Sequence, residues 1–218
     1  MTISLAEPEA KALESFCRRQ LSWDGALLAR LVTSERAVGM FTTPPLGVLV
    51  FVAVPLAESD GPRADRMVRL GDWADLLAAS GGRDIDITGL AEVVPPVTAG
   101  PSLRDLPPSD GWQVPMHAVS GDLVPLVQKA TEEFDVRAAG QPALIQQNIA
   151  DDIWERPVWA ALPMRTLHAA RQLGMLSADR TKVTASSCGS WKRLSTPRGQ
   201  VFVPSSGPAA RLSLRIVG

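Results

Sequence analysis

The chain has no tyrosine, and among its 218 residues only two cysteines, two histidines and four lysines. Cysteines as far apart as Cys17 and Cys188 are no disulfide framework, and they fit a reducing compartment. His117 and His168 form no close pair with them, which removes a Cys/His zinc site, so no metal and no cofactor is expected. Neither GxGxxG nor GxxxxGK[ST] occurs, so no glycine-rich loop is present to cradle phosphates. The nucleophile elbow GxSxG of serine hydrolases is absent too. No apolar run reaches the roughly 20 residues that a membrane helix needs; the longest, Leu46–Ala57, is about half of that. Met1–Leu5 is followed by Glu7, Glu9, Lys11 and Glu14 in place of the apolar core of a signal peptide. The expected compartment is therefore the cytoplasm.

What the chain has in quantity is arginine, 18 against four lysines, together with abundant Ala, Gly and Pro. GC-rich coding produces that balance, so the identity of the basic residues carries little information. Their position carries more. From Arg156 onward there are ten, Arg156, Arg165, Arg171, Arg180, Lys182, Lys192, Arg193, Arg198, Arg211 and Arg215, against the single acid Asp179. Residues 1–155 hold 12 basic and 22 acidic residues. A chain of net charge −1 is thus an acidic body with a basic end.

Hydrophobic periodicity assigns an α+β fold. Ala10, Leu13, Phe16, Cys17 and Leu21 recur at helical spacing over residues 6–21, with Cys17 as a packed core thiol. A second helix is read over Trp23, Leu27, Leu28 and Leu31, capped by Ser22 or Asp24. Strands are read at 36–42, 46–55, 66–70 and, by strict alternation, Asp84–Ile87. The 46–55 strand is apolar on both faces and is expected to be covered. Asp72 begins a short helix that Gly81-Gly82 ends. Asp84 and Asp86 share a strand face without a third ligand and read as solvated.

Residues 95–118 contain Pro95, Pro96, Pro101, Pro107, Pro108 and Pro115, and proline cannot donate to a helix or sheet ladder. This stretch divides an N-terminal α+β domain, 1–94, with helices on a small sheet, from a C-terminal domain, 119–218. Trp112 and Met116 are placed to tack the linker down. The C-terminal domain opens with three helices: 120–134, begun by Ser120 or Asp122; 142–155, with Ile145, Ile149 and Ile153 on one face; and 163–173. An antiparallel meander follows: Lys182–Cys188, Trp191–Ser195 and Gln200–Pro204, with Thr196-Pro197-Arg198-Gly199 as a type I turn, and finally Arg211–Val217.

Three helices followed by a hairpin are similar, in element order alone, to a winged helix-turn-helix. In that arrangement Arg165, His168 and Gln172 face the bases, and Trp191, Lys192, Arg193 and Arg198 on the wing supply stacking and phosphate-binding charge. The apolar connection Pro157–Leu162 is longer than the usual three- or four-residue turn. These seven residues are the candidate binding site. The expected function is non-enzymatic binding of a macromolecule through the basic end, nucleic acid first. An adaptor for an acidic protein partner, or pairing of the basic end with the chain's own acids, is the alternative. The remaining catalytic arrangement would be a Cys188–His168 or Cys188–His117 pair activated by nearby cations.

Overall fold

The computed structural model describes residues 1–60, 63–95 and 100–205. The expected strand Arg211–Val217, with Arg211 and Arg215, lies outside the described residues. The chain divides into two compact units: Met1–Leu106 with Arg198–Gln200, and Pro107–Pro197 with the chain from Val201 on.

The N-terminal unit begins with β1 (Thr2–Ser4) and α1 (Glu7–Leu21), followed by β2 (Leu28–Thr33), β3 (Ala37–Thr42), β4 (Leu49–Pro55) and the short β5 (Glu58–Ser59). Next come β6 (Asp65–Arg69), α2 (Leu70–Ser80), β7 (Ile85–Asp86) and a 3₁₀ turn, Ile87–Gly89. Within the unit the strands run in the order β6-β2-β3-β4, all antiparallel, beside a small sheet β5-β1-β7. In α1, Pro8 occupies the first turn, Glu7 and Glu9 lie at the positive end of the helix dipole, and Arg18 and Arg19 at its negative end. Its buried stripe is Ala10, Leu13, Cys17 and Gln20. Cys17 meets Met40, S···S 3.8 Å, and burial pushes its thiol pKa up to about 12. The Gln20 carbonyl accepts from Thr42 Oγ1 at 2.7 Å.

Register sets the rows of the core. Val68, Ala29, Thr42 and Val50 align across four strands, and Arg66, Leu31, Met40 and Val52 form the neighbouring row. On the opposite face Phe41 and Phe51 stack with centroids 4.5 Å apart. Gly39 makes room for that stack, because a Cβ there would lie 2.6 Å from the Phe51 ring.

Residues 22–31 differ from the expected second helix. Asp24 Oδ1 accepts from Ala26 N in a turn, and β2 takes the rest. The leucines fit either period, but burial alternates from Leu28 to Thr33, and two neighbouring strands satisfy both edges of the backbone. The 46–55 strand is covered only over its first residues, since Ala53 and Pro55 are exposed. Asp72 lies in the first turn of α2 and does not cap it; Gly81 ends that helix in the left-handed region, φ 58°. Asp86 turns from strand to cap, its carboxylate accepting from Thr88 N at 2.9 Å.

The C-terminal unit runs β8 (Gln113–Val119), α3 (Ser120–Ala138), α4 (Ala143–Trp154), a 3₁₀ turn at Trp159–Ala161, and α5 (Met164–Gln172). The meander β9 (Lys182–Cys188), β10 (Trp191–Thr196) and β11 (Gly199–Pro204) follows. The strand order is β11-β10-β9-β8, so β10 has a strand on each side and is no free wing. Residues 113–118 of the expected linker belong to β8, with Pro115 beside a register shift between Gln113 and Met116. Both units share a plan. A strand running directly into a helix, β6–α2 or β8–α3, forms the edge beside a helix-led meander, α1-β2-β3-β4 or α5-β9-β10-β11. The pair comes last in one unit and first in the other.

Ser120 is not the N-cap of α3. Its hydroxyl donates to Ser177 O at 2.6 Å, while Gly121 N donates to Asp179 O at 2.9 Å, fastening the helix start to the loop before β9. Hydrogen bonds from Thr181 and Ser177 hold the Asp179 carboxyl down at about 2. Ser120→Ala strips Ser177 O of its donor at a fully buried side chain. It is expected to cost about 1–3 kcal/mol, measured by urea denaturation.

Candidate macromolecule-binding site

β9 and β10 pair with Trp191 opposite Cys188, Arg193 opposite Ser186 and Ser195 opposite Thr184. Alternation puts these six side chains on one face. Leu194 and Ala185, which are buried, share the other face with Lys192.

Residues 107–112 fold onto the first face. Trp112 Nε1 donates to Pro108 O at 2.9 Å, which fixes the ring, and the ring stacks on Phe202 at 5.6 Å. The Arg193 guanidinium lies 4.1 Å from the Trp112 centroid, and its Nε donates to Ser186 Oγ at 3.1 Å. Among the described residues no carboxylate forms an ion pair with Arg193. The aromatic face stands where an acid would be, and burial lowers the guanidinium pKa. Cys188 Sγ donates to Asp110 O at 3.5 Å. On the other face Lys192 Nζ donates to Ala161 O at 2.6 Å. Ala160 and Ala161 have φ of 57° and 54°, a left-handed conformation that costs a non-glycine residue about 1–2 kcal/mol. Lys192 helps hold that turn. Arg198 is exposed at the β10–β11 turn and groups with the N-terminal unit.

The α5 arc is used differently. Arg165 pairs with Glu155 and keeps 13% of its side chain exposed. His168 lies 4.2 Å from the Trp154 ring, which in turn meets Phe134 at 6.0 Å, and its Nδ1 is buried without a partner. Only Gln172 is exposed; with Arg171 it lines a cleft of about 480 Å3 against Val127, Gln128, Thr131 and Glu132 of α3. Arg165 and His168 therefore make internal contacts of α5 with α4.

Desolvation lowers the His168 pKa from 6.5. The unfolded chain binds the proton more readily, so the contribution of the neutral ring is complete above about pH 6.5 and is lost as pH falls through the lower folded value. Stability measured in urea is expected to drop between about pH 7 and pH 5. His168→Phe, which keeps a ring against Trp154, should flatten that slope; an unchanged slope would remove His168 as its cause.

The basic end is partly matched by the acids just before it. Arg156 bonds Glu133 at 2.9 Å and lies 3.6 Å from Asp152, while Arg137 reaches the same two carboxylates at 2.8 and 2.7 Å. Arg156 and then Arg137 hold the Glu133 carboxyl at about 2. Arg180 and Lys182 are exposed and form no ion pair among the described residues.

Cys188 bonds a backbone carbonyl, His117 Nδ1 lies 3.2 Å from Thr184 Oγ1, and His168 stacks on Trp154, so no Cys–His couple forms. Among the described residues no three His, Cys, Asp or Glu side chains converge on a metal position, and no helix is long and apolar enough to cross a membrane. Phe202 and Ser186, which complete the Arg193 setting, carry no sequence signal of that role. Trp112 does, as a large aromatic inside a proline-rich stretch.

Residues 1–96 match the model of a domain of unknown function (DUF8010), and residues 107–208 match that of a second domain of unknown function (DUF8185). No curated protein matches the chain. Among solved structures, the DNA polymerase III subunit beta of Pseudomonas aeruginosa aligns over 100% of this chain and 69% of its own length, with TM-score 0.56 and 11% identity. The Helicobacter pylori beta clamp aligns over 98% and 67%, with TM-score 0.57 and 11% identity. The beta subunit from the DNA polymerase of Streptococcus pyogenes aligns over 98% and 68%, with TM-score 0.52 and 9% identity. The chain has the α+β fold of these sliding clamps.

Proposed function

We propose that the chain is a non-enzymatic, clamp-like protein of DNA transactions that binds nucleic acid through the β9–β10 region of its C-terminal unit. The observation that carries the reading is Arg193, a guanidinium stacked on Trp112 with no carboxylate partner among the described residues. Arg180 and Lys182 on the approach to β9 add charge, and Trp191 adds a half-exposed ring. Aromatic faces and cations together suit bases and phosphates. The similarity to subunits of DNA polymerases supports the same class of partner. Two domains joined within residues 95–118 belong to this reading, supported by the division at Leu106 and Pro107 and by the two family models. A cytoplasmic setting belongs to it too, supported by two free thiols.

Fluorescence titration with duplex DNA and with single-stranded RNA at rising salt tests it. With two to four phosphate contacts the duplex affinity falls log-linearly with salt, with a slope of about −2 to −4. No binding to either at low salt would end the nucleic-acid reading. An adaptor for an acidic protein is the second reading. Arg193 is already ordered by Trp112 and Ser186, and its remaining N–H groups suit a carboxylate as well as a phosphate. Capture of an acidic protein that is lost on Arg193→Glu, without DNA binding, would select it.

A further inference from the structure

The chain carries 23 carboxylates, yet the four strands β8 to β11 contain none. They hold Lys182, Lys192 and Arg193 instead. A polyanion laid along this sheet meets no repulsion from the strands themselves. One face of the β9–β10 pair is turned inward through Val183, Ala185 and Leu194. On the other, His117, Thr184 and Ser195 form one row across three strands, with Arg193 and Trp191 further along β10. Two acids lie at the margins. Asp110 touches this face through its backbone carbonyl, at Cys188, and its carboxylate forms no ion pair with Arg193 among the described residues. The Asp179 carboxylate accepts from Thr181 N and Ser120 Oγ, both at 3.2 Å, and Arg180 and Lys182 follow it in the chain, two cations to one acid.

Trp191 distinguishes one form of nucleic acid from another. Its indole is half-exposed, and among the described residues no ring stacks on it and nothing accepts from its N–H. Arg193 is two residues further on the same face, about 7 Å along the strand, the reach of one nucleotide of an extended chain. A duplex keeps its bases stacked inside and brings only sugar and phosphate to this ring. The elements that would enter a groove are also taken up: Arg165 is turned to Glu155, His168 to Trp154, and β10 has a strand on each side. A single strand frees its bases, and every base has a face to lay on an indole. We propose, resting on the nucleic-acid reading of the β9–β10 region, that its ligand is a single-stranded polynucleotide, with a base stacked on Trp191 and the adjoining phosphate at Arg193. A duplex meets the same cations through its phosphates alone and binds less tightly.

Fluorescence anisotropy on the full chain at about 0.15 M salt tests this. The probes are oligothymidylate, oligouridylate and a mixed-sequence DNA duplex, each about 12 residues long. The first two separate DNA from RNA as the source of the strand. At least one of them is expected to bind about 5- to 160-fold tighter than the duplex, the contribution of one stacked base. Trp191→Leu keeps apolar cover on the sheet but has no aromatic face. It should remove that advantage and leave duplex affinity within about twofold. Trp191→Phe, which keeps a ring, should retain part of it. Thermal melting will show that both variants fold. Equal or tighter binding of the duplex overturns the single-strand assignment and leaves the nucleic-acid reading standing, whereas no binding of any probe ends both. A single-strand advantage undiminished in Trp191→Leu also overturns the assignment. So does a loss that falls equally on strand and duplex, since Trp191 then holds the sheet and not a base.

Discussion

Replacing Trp73 by alanine is expected to lower stability by about 3–5 kcal/mol, the cost of a large cavity left in a packed core. Trp73 is the largest fully buried side chain, on α2, which packs against α1 and β6. In a chain of this size that loss corresponds to a fall in melting temperature of about 6–20 °C. The contrast with Trp73→Phe gives the test its point. Trp73 Nε1 is buried without a hydrogen-bond partner, and an unmet donor costs about 1–3 kcal/mol. Phenylalanine gives up ring volume but removes that donor, so Trp73→Phe should lose much less than Trp73→Ala. Equal losses for both variants in urea denaturation would overturn this, because they would show that the lost indole N–H, bonded in the folded protein, sets the cost in place of ring volume.

Arg193→Glu is expected to weaken duplex DNA binding by about 2–3 kcal/mol, roughly 30- to 160-fold. A contact to an ionised group contributes about that much, and reversal adds repulsion. The salt slope should become shallower by about 0.9, the share of one phosphate. Arg193→Gln separates charge from placement, since it can still donate to Ser186 and lie on Trp112 but carries no charge. It should lose the slope increment with a smaller fall in affinity. Arg193 is only half-buried, so folding should survive both changes, and near-ultraviolet dichroism of the tryptophans will report it. DNA binding by Arg193→Glu with unaltered affinity and slope would exclude Arg193 from the contact.

Much of the fold was legible because its signals are local. Pro142 before α4, Gly81 after α2 and the Pro197–Gly199 turn state boundaries through backbone constraints that tertiary contacts do not override. Leu27, Leu28 and Leu31 are ambiguous because three leucines satisfy both periods, and the sheet partners that decide between them lie 9–41 residues away. The site was legible in part. Trp191 and Arg193 share a face because a strand has period two, and that follows from sequence. The stacking of Arg193 on Trp112, 81 positions earlier, depends on how residues 107–112 fold back, which periodicity does not encode. The helical spacing of Arg165, His168 and Gln172 was right, but spacing says nothing of what lies opposite. Glu155 and Trp154 of the preceding helix occupy two of the three.

The reversed order of the two units matters while the chain is being made. In the N-terminal unit the meander β2-β3-β4 leaves the ribosome before its edge strand β6, which arrives to find β2 already formed. In the C-terminal unit β8 emerges first, and its partner β9 begins at Lys182 only after three helices have been synthesised. At about 5–20 residues per second that interval is roughly 3–13 seconds, during which β8 is a strand with two open edges. Pro115, which has no N–H to offer, and the register shift beside it make β8 a poor template for a neighbouring nascent chain. The irregularity in this strand thus protects the protein at the one stage of its life when β8 has nothing to pair with.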